Sequence, residues 1–184
     1  SAPLPLKVGE APRRRYEPAP ITAVAALDLR PEGVEGATEA GERLLDVHNA
    51  RHPRSRNRGG ENGLSIGFTS HYARMRERFG EHLTNGIAGE SLLVETDETF
   101  ADADLPDELV IETPDGQRAP LVRVIVAAPC VEFSRWCLRF PEEARPDLTV
   151  TAALQFLNDG LRGWYASYDG PPVRLPLGSR LLMP

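Results

Sequence analysis

Apolar residues along this chain fall in short alternating or clustered runs bounded by Gly, Pro and Asp, a pattern that predicts short strands. "ITAVAALDL" (21–29), rich in β-branched and small apolar residues, reads as the first strand. From about 31 to 63 the chain is polar and punctuated by glycine, with a short helical "AGERLLDVHNA" inside it. The clearest helical spacing is "TSHYARMRERFG" (69–80): Tyr72, Met75 and Phe79 share a face, Thr69 or Ser70 can cap it, and Gly80 supplies the stop. "ESLLVET" (90–96) reads as a strand. "DELVIETPDGQRAPLVRVIVAAP" reads as two strands joined across "TPDGQ", where Pro-Asp-Gly favours a turn. "VTAALQFLNDG" (150–160) spaces Val150, Leu154, Leu157 and Leu161 helically, and "RGWYASY" and "VRLPLGSRLLM" close the chain as strands around "DGPP". Several strands with Gly/Pro turns and a few short helices predict a mostly β, α+β domain resembling a β-barrel.

Residues 1–20, rich in Pro and Arg, read as an extended N-terminal arm, and 21–184 as a single domain. A chain of 184 residues that is 41% hydrophobic is long enough to bury a core without disulfides or a structural metal. The formal charge of −6 argues against nucleic acid as a partner, which usually meets a basic footprint. Basic residues do cluster locally, in "RRR" (13–15) and "RHPRSRNR" (51–58), and the second run leads into Gly-Gly as a solvated loop or an anion-binding rim. No run approaches the ~18 apolar residues that cross a bilayer. The first twenty residues lack the apolar region of a secretory signal, and two cysteines make no disulfide framework, so a cytoplasmic location is expected.

"APCVEFSRWC" (128–137) holds both cysteines. Cys130, at the end of the second meander strand, is a nucleophile, soft-metal ligand or persulfide carrier if neighbouring cations such as Arg135 and Arg123 favour its thiolate. Otherwise it packs as a small apolar residue or pairs with Cys137. His48 and His52, four apart, would share a helix face as metal ligands, but Pro53 follows directly and no carboxylate partner is evident. His71 and His82 bracket the helix as polar-face or capping residues. "RGGENGLSIG" (58–67) and "TNGIAGES" (84–91) are glycine-rich turns, each an ordinary turn or an anion-binding nest.

The order of these motifs resembles the MOSC family, the domain shared with the C-terminal region of molybdenum-cofactor sulfurases. The resemblance rests on "PEGVEG", "GGENGLSI", "GIAGESLLVE", "VIVAAPCVEF", "DGLRGWYASY" and the closing "LPLGSRLL", which together span about 21–183. It implies a β-barrel fold with a few short peripheral helices. It also implies that Cys130 is the family's hallmark cysteine, ligating molybdenum of a pterin cofactor or carrying sulfur as a persulfide. By motif match, Asn62, Ser65, Glu90, Ser91, Arg162 and Arg58 are the candidate cofactor-binding residues, with Arg162 and the 51–58 loop toward the cofactor's phosphate. Related members reduce N-hydroxylated compounds at such a centre.

The chain departs from the family at three places. The charged continuation usual after the first glycine motif is "GATEAG" here, Arg58 stands where histidine is usual in "RGG", and Ser91 where asparagine is frequent. No electron- or sulfur-transfer domain is recognisable in the sequence, so a separate protein is implied as donor. Three readings follow: a molybdenum-cofactor-dependent oxidoreductase, a sulfur carrier using a Cys130 persulfide, or a non-catalytic barrel that binds a small anion or a protein.

Overall fold

The computed structural model describes residues 1–184 apart from Arg56, Arg58, Gly60, Glu142 and Glu143, and leaves aside the side chains of Arg123 and Val124. In chain order the elements are β1 (Lys7–Val8), β2 (Arg15–Tyr16), β3 (Ala26–Arg30), β4 (Gly33–Ala37), β5 (Arg43–Leu45), β6 (Leu64–Phe68), α1 (Thr69–Phe79) and β7 (Leu92–Val94). There follow β8 (Leu109–Glu112), β9 (Arg118–Val126), α2 (Val131–Cys137), α3 (Leu148–Leu157), β10 (Trp164–Ser167), β11 (Val173–Pro176) and β12 (Arg180–Leu182). One sheet has six strands in the order β12-β8-β9-β10-β6-β7, a second has four in the order β11-β3-β4-β5, and β1 pairs with β2. Only β6 and β7 pair in parallel; the other described pairs are antiparallel.

Strand chemistry and turn chemistry agree where the sequence is most explicit. β8 buries alternate residues, Leu109 and Ile111, and β9 returns them Ala119 and Leu121 in register. Between them the Thr113 N–H donates to Gln117 O at 2.9 Å, and Gly116 takes φ 85°, a conformation that costs glycine little. The two larger sheets face one another across a common core of Leu27, Leu29, Ile66, Phe68, Leu121, Trp164 and Leu175. A second cluster, with Tyr72, Met75, Phe133, Leu157 and Leu161, fastens the three helices. Each such fully buried side chain contributes roughly 1.5–3 kcal/mol.

The mostly β, α+β class is therefore observed, but not a closed barrel. Among the described residues no strand pairing joins the two sheets. Pro176 ends edge strand β11 and has no N–H for a further ladder bond, and residues 177–179 turn the chain away before β12 adds to β8 of the other sheet.

Three local expectations differ from the structure. The segment read as helical at 40–50 forms β5 instead, because Leu45, Leu44 and Arg43 find partners in Glu35, Gly36 and Ala37. Thr69 and Ser70 lie inside α1 rather than capping it; their hydroxyls donate to the Thr96 and Glu98 carbonyls. The N-terminal stretch is not a free arm: Ala2 and Tyr16 are buried, the Glu17 N–H donates to Leu6 O at 2.8 Å, and the Tyr16 hydroxyl donates to Ile87 O at 2.9 Å.

Candidate functional site

Strand β6 sits between β10 and β7, and all five of its residues are buried. A Cβ on its Gly67 would lie 2.8 Å from Glu90 Cγ, so only glycine lets the Glu90 side chain lie against the strand. The carboxylate is then claimed from two sides. Tyr72 of α1 donates its hydroxyl to Oε2 at 2.6 Å, and Arg162 donates Nη1 to Oε1 at 3.0 Å. Arg162 also donates Nη2 to Ala88 O, and its guanidinium carbon lies 4.7 Å from the Phe133 ring centroid. Burial opposes the charge on Arg162, but the Glu90 carboxylate together with Tyr16, Tyr165 and Tyr72 outweighs it and holds its pKa above the ordinary value. Burial, then Glu90, pushes the Tyr72 phenol well above its usual range.

This pair forms one wall of a cavity of about 540 Å3. Of the residues selected from sequence, Cys130, Asn62, Ser65, Glu90 and Arg162 all line it. They come from segments up to 100 residues apart (62 to 162) and converge only in the fold. Ser91 does not line it: its hydroxyl lies 3.2 Å from Ser65 Oγ and its N–H donates to that oxygen at 2.9 Å, tying β6 to the 84–91 turn. Arg58 and the Arg123 side chain lie outside the described residues. Arg54 represents the basic loop at the cavity wall.

Cys130 is not at a strand end. β9 stops at Val126, and Cys130 is the extended residue that precedes α2, half-buried with its side chain on the cavity. Helix α2 escaped sequence reading because it is short and Cys130 makes no side-chain cap bond. Both cysteines are free thiols; Cys137 is buried in the helical core, where desolvation pushes its pKa up to about 12.

On the opposite side His48, weighed in the sequence as a metal ligand, lines the cavity and is held from behind by Asp46, which the sequence did not flag. Asp46 is fully buried and its Oδ1 accepts the His48 N–H at 2.9 Å and faces His48 Nδ1 at 3.0 Å. Its Oδ2 accepts from the Ala2 N–H at 2.8 Å and the Ser1 hydroxyl at 3.1 Å. Burial alone would raise its pKa; the His48 contacts reverse that and hold it below the ordinary value. Further along, Asn57 donates to His48 O at 3.0 Å and accepts the Asn62 N–H at 3.1 Å, which places Asn62 on the cavity. Asn62 Oδ1 is buried there with no hydrogen-bond partner. Lys7 and Tyr16 of the N-terminal hairpin complete this side.

The remaining histidines do not join the site. His52 Nδ1 accepts the Arg54 N–H at 3.1 Å and its Nε2 lies 3.1 Å from Pro3 O, so it and His48 do not form a ligand pair. His71 Nε2 accepts the Phe100 N–H at 3.0 Å, and His82 lies against Trp136. Among the described residues no group of three or more His, Cys, Asp or Glu side chains could hold a metal ion, and no helix is long and apolar enough to cross a membrane.

Two solved structures share the fold. The YUAD protein from Bacillus subtilis matches with a TM-score of 0.54 at 13% identity, over 87% of this chain and 85% of that one. A second, described only as a hypothetical protein, matches with a TM-score of 0.53 at 15% identity, over 89% of this chain. This chain spans 62% of that second protein's length. At such identities the likeness shows fold alone. No protein-family model matches the chain, and no curated protein matches it.

Proposed function

We propose that the cavity beside Cys130 binds a molybdenum-pterin cofactor, in an opened form of the MOSC-type barrel whose two sheets enclose one core. The observation that carries this reading is the convergence of Cys130, Asn62, Glu90 and Arg162, each from a different motif, on one cavity. The chemistry of the wall fits such a group. Its volume lies within the ~300–1,000 Å3 of small-molecule sites. Asn62 Oδ1 is a buried acceptor in want of a donor, and a pterin edge offers N–H groups. Cys130 supplies a soft thiolate for a metal.

Arg162 serves differently from its sequence expectation. Its guanidinium is engaged by Glu90 and Ala88, so it shapes the wall, and Lys7 and Arg54 are the cations placed to meet a phosphate. Trp164, Ile66 and Ala127 give the cavity an apolar side that limits water. His48, its Nδ1 held by Asp46, can hold or pass a proton at Nε2. The bound group would supply two-electron reduction of small N-hydroxylated compounds, with electrons from a separate protein.

The test is metal and pterin analysis of protein purified from a cofactor-competent host. Stoichiometric molybdenum that is lost in Cys130→Ala, with the variant still folded, supports the reading. Protein without molybdenum or pterin overturns it. A cyanide-releasable sulfur on Cys130 in that metal-free protein would assign a sulfur carrier instead, and neither group would leave a non-catalytic binding barrel.

A further inference from the structure

Residues 3–21 leave the body of the fold and return to it between two fixed points. The Thr22 N–H donates to Ser1 O at 3.0 Å, and the Val47 N–H donates to Ala2 O at 2.8 Å. Between them lies the β1–β2 hairpin, which among the described residues pairs with neither larger sheet. Its strands are two residues each, and so short a two-stranded hairpin is marginal in water by itself. Its place depends on what its side chains touch.

Those contacts lead to two segments. Tyr16 is buried against Phe133, with ring centroids 5.0 Å apart, and donates its hydroxyl to Ile87 O at 2.9 Å. Leu6 occupies the space that a Cβ on Gly89 would take. Glu132, in the first turn of α2, meets Arg14 Nη2 at 2.5 Å and Lys7 Nζ at 3.7 Å. The hairpin is thus seated on the 84–91 turn and on α2, which carry Glu90 and directly follow Cys130. Beneath it is the Cys130 cavity, whose wall on this side is Pro5, Leu6, Lys7 and Tyr16. Leu6 and Tyr16 are wall and anchor at once, so this wall exists only while the hairpin is seated.

Pro3, Pro5, Pro18 and Pro20 stiffen the two arms, since each fixes its own φ and favours an extended residue before it. A segment tied by a few side chains opens at a lower free energy than the sheets beneath it. We propose that residues 3–21 form a strap that lifts as a unit to admit a ligand to the Cys130 cavity and reseats over it, with Tyr16 and the Glu132 ion pairs as its catch. That the ligand is the molybdenum-pterin cofactor rests on the functional reading above; the lifting of the strap does not.

The test compares two thiol reagents on the full chain made in a host without the pterin cofactor. Iodoacetamide is small enough to reach Cys130 with the strap seated, whereas fluorescein maleimide needs it lifted. The readout is the ratio of the bulky to the small reagent's rate at Cys130, mapped by mass spectrometry, in which the thiolate fraction cancels. Glu132→Gln removes the ion pairs and Tyr16→Phe the bond to Ile87, and each should raise the ratio roughly fivefold. Amides of 6–17 should exchange hydrogen as one group ahead of those in β9 and β10, and faster in both variants. A ratio unchanged in either variant overturns the proposal, as does exchange of 6–17 only with global unfolding. Protein from a cofactor-competent host that lacks molybdenum would overturn the functional reading and leave these rates as they are.

Discussion

Arg162 Nη1 meets Glu90 Oε1 at 3.0 Å with the two side chains only 15% and 3% exposed, joining residues 72 positions apart at the centre of the candidate site. Removing one member of a pair this buried leaves the other charge without compensation, at a cost of about 3–5 kcal/mol. Glu90→Gln and Arg162→Met should each lower the unfolding free energy by that much, read from a lower urea midpoint at unchanged m. The double variant should be less destabilised than their sum, because it leaves no orphan charge. Additive losses would show that the pair is not coupled as the geometry requires.

Gly67→Ala tests the same wall from the strand side. The added methyl would meet Glu90 Cγ at 2.8 Å and Oε1 at 3.2 Å, so the carboxylate must leave Arg162 or the strand must move. Overpacking of this kind costs about 1–3 kcal/mol before any loss in the ion pair. Gly59→Ala is the control, since its Cβ meets nothing nearer than Glu61 Cγ at 3.8 Å, and should stay within about 0.5 kcal/mol of wild type. Equal effects at the two glycines in thermal unfolding would refute the steric argument.

What the sequence disclosed follows from how local each signal is. The β8–β9 hairpin, α1, α3 and β10 were legible because turn residues and apolar spacing both lie within a few positions of one another, whereas the closing run 173–183, read as one strand, divides at 177–179 into β11 and β12 of different sheets. β5 was misread because Leu44 and Leu45 fit a helix as well as a strand, and the choice is made by β4. At the site, short motifs located Cys130, Asn62, Ser65, Glu90 and Arg162, but not what each one does. Arg162 was read as a phosphate ligand because no local feature announces that Glu90 engages it. Asp46 reaches Ala2 across 44 positions, Lys7 meets Glu132, and Tyr16 reaches Ile87 across 71 positions. Such roles carry no sequence pattern.

Stability should fall in acid with a first step set by His71. Burial lowers its pKa from 6.5 to about 4, so the folded state keeps the ring neutral while the unfolded chain protonates it. Its contribution is therefore full above about pH 6.5 and is lost as pH falls toward 4, a change on the order of 3 kcal/mol. Asp46 acts lower. Its folded pKa lies below 3.8, so its contribution is present above that value and goes as pH drops through the folded one. His71→Gln, which retains an acceptor for the Phe100 N–H, should flatten the urea midpoint between pH 6.5 and 4 and leave the loss below 3.8 intact. A wild-type slope in the variant would place the proton uptake elsewhere.

The two thiols should differ sharply in reactivity. Cys130 is half-buried on the wall of an open cavity, whereas Cys137 is 1% exposed and its thiol is pushed up to about 12 by burial. Alkylation requires both access and thiolate, so native Cys137 lacks each at neutral pH. Iodoacetamide at pH 8 should label one cysteine per chain, mapped by mass spectrometry to Cys130, and label none in Cys130→Ala until denaturant is added. Occupation of the cavity by a ligand bound through sulfur should protect Cys130 and leave Cys137 unchanged. Rapid native labelling of Cys137 would contradict its packing against Phe133 and Leu157, and an inert Cys130 would remove the thiol on which the proposed cofactor or sulfur chemistry depends.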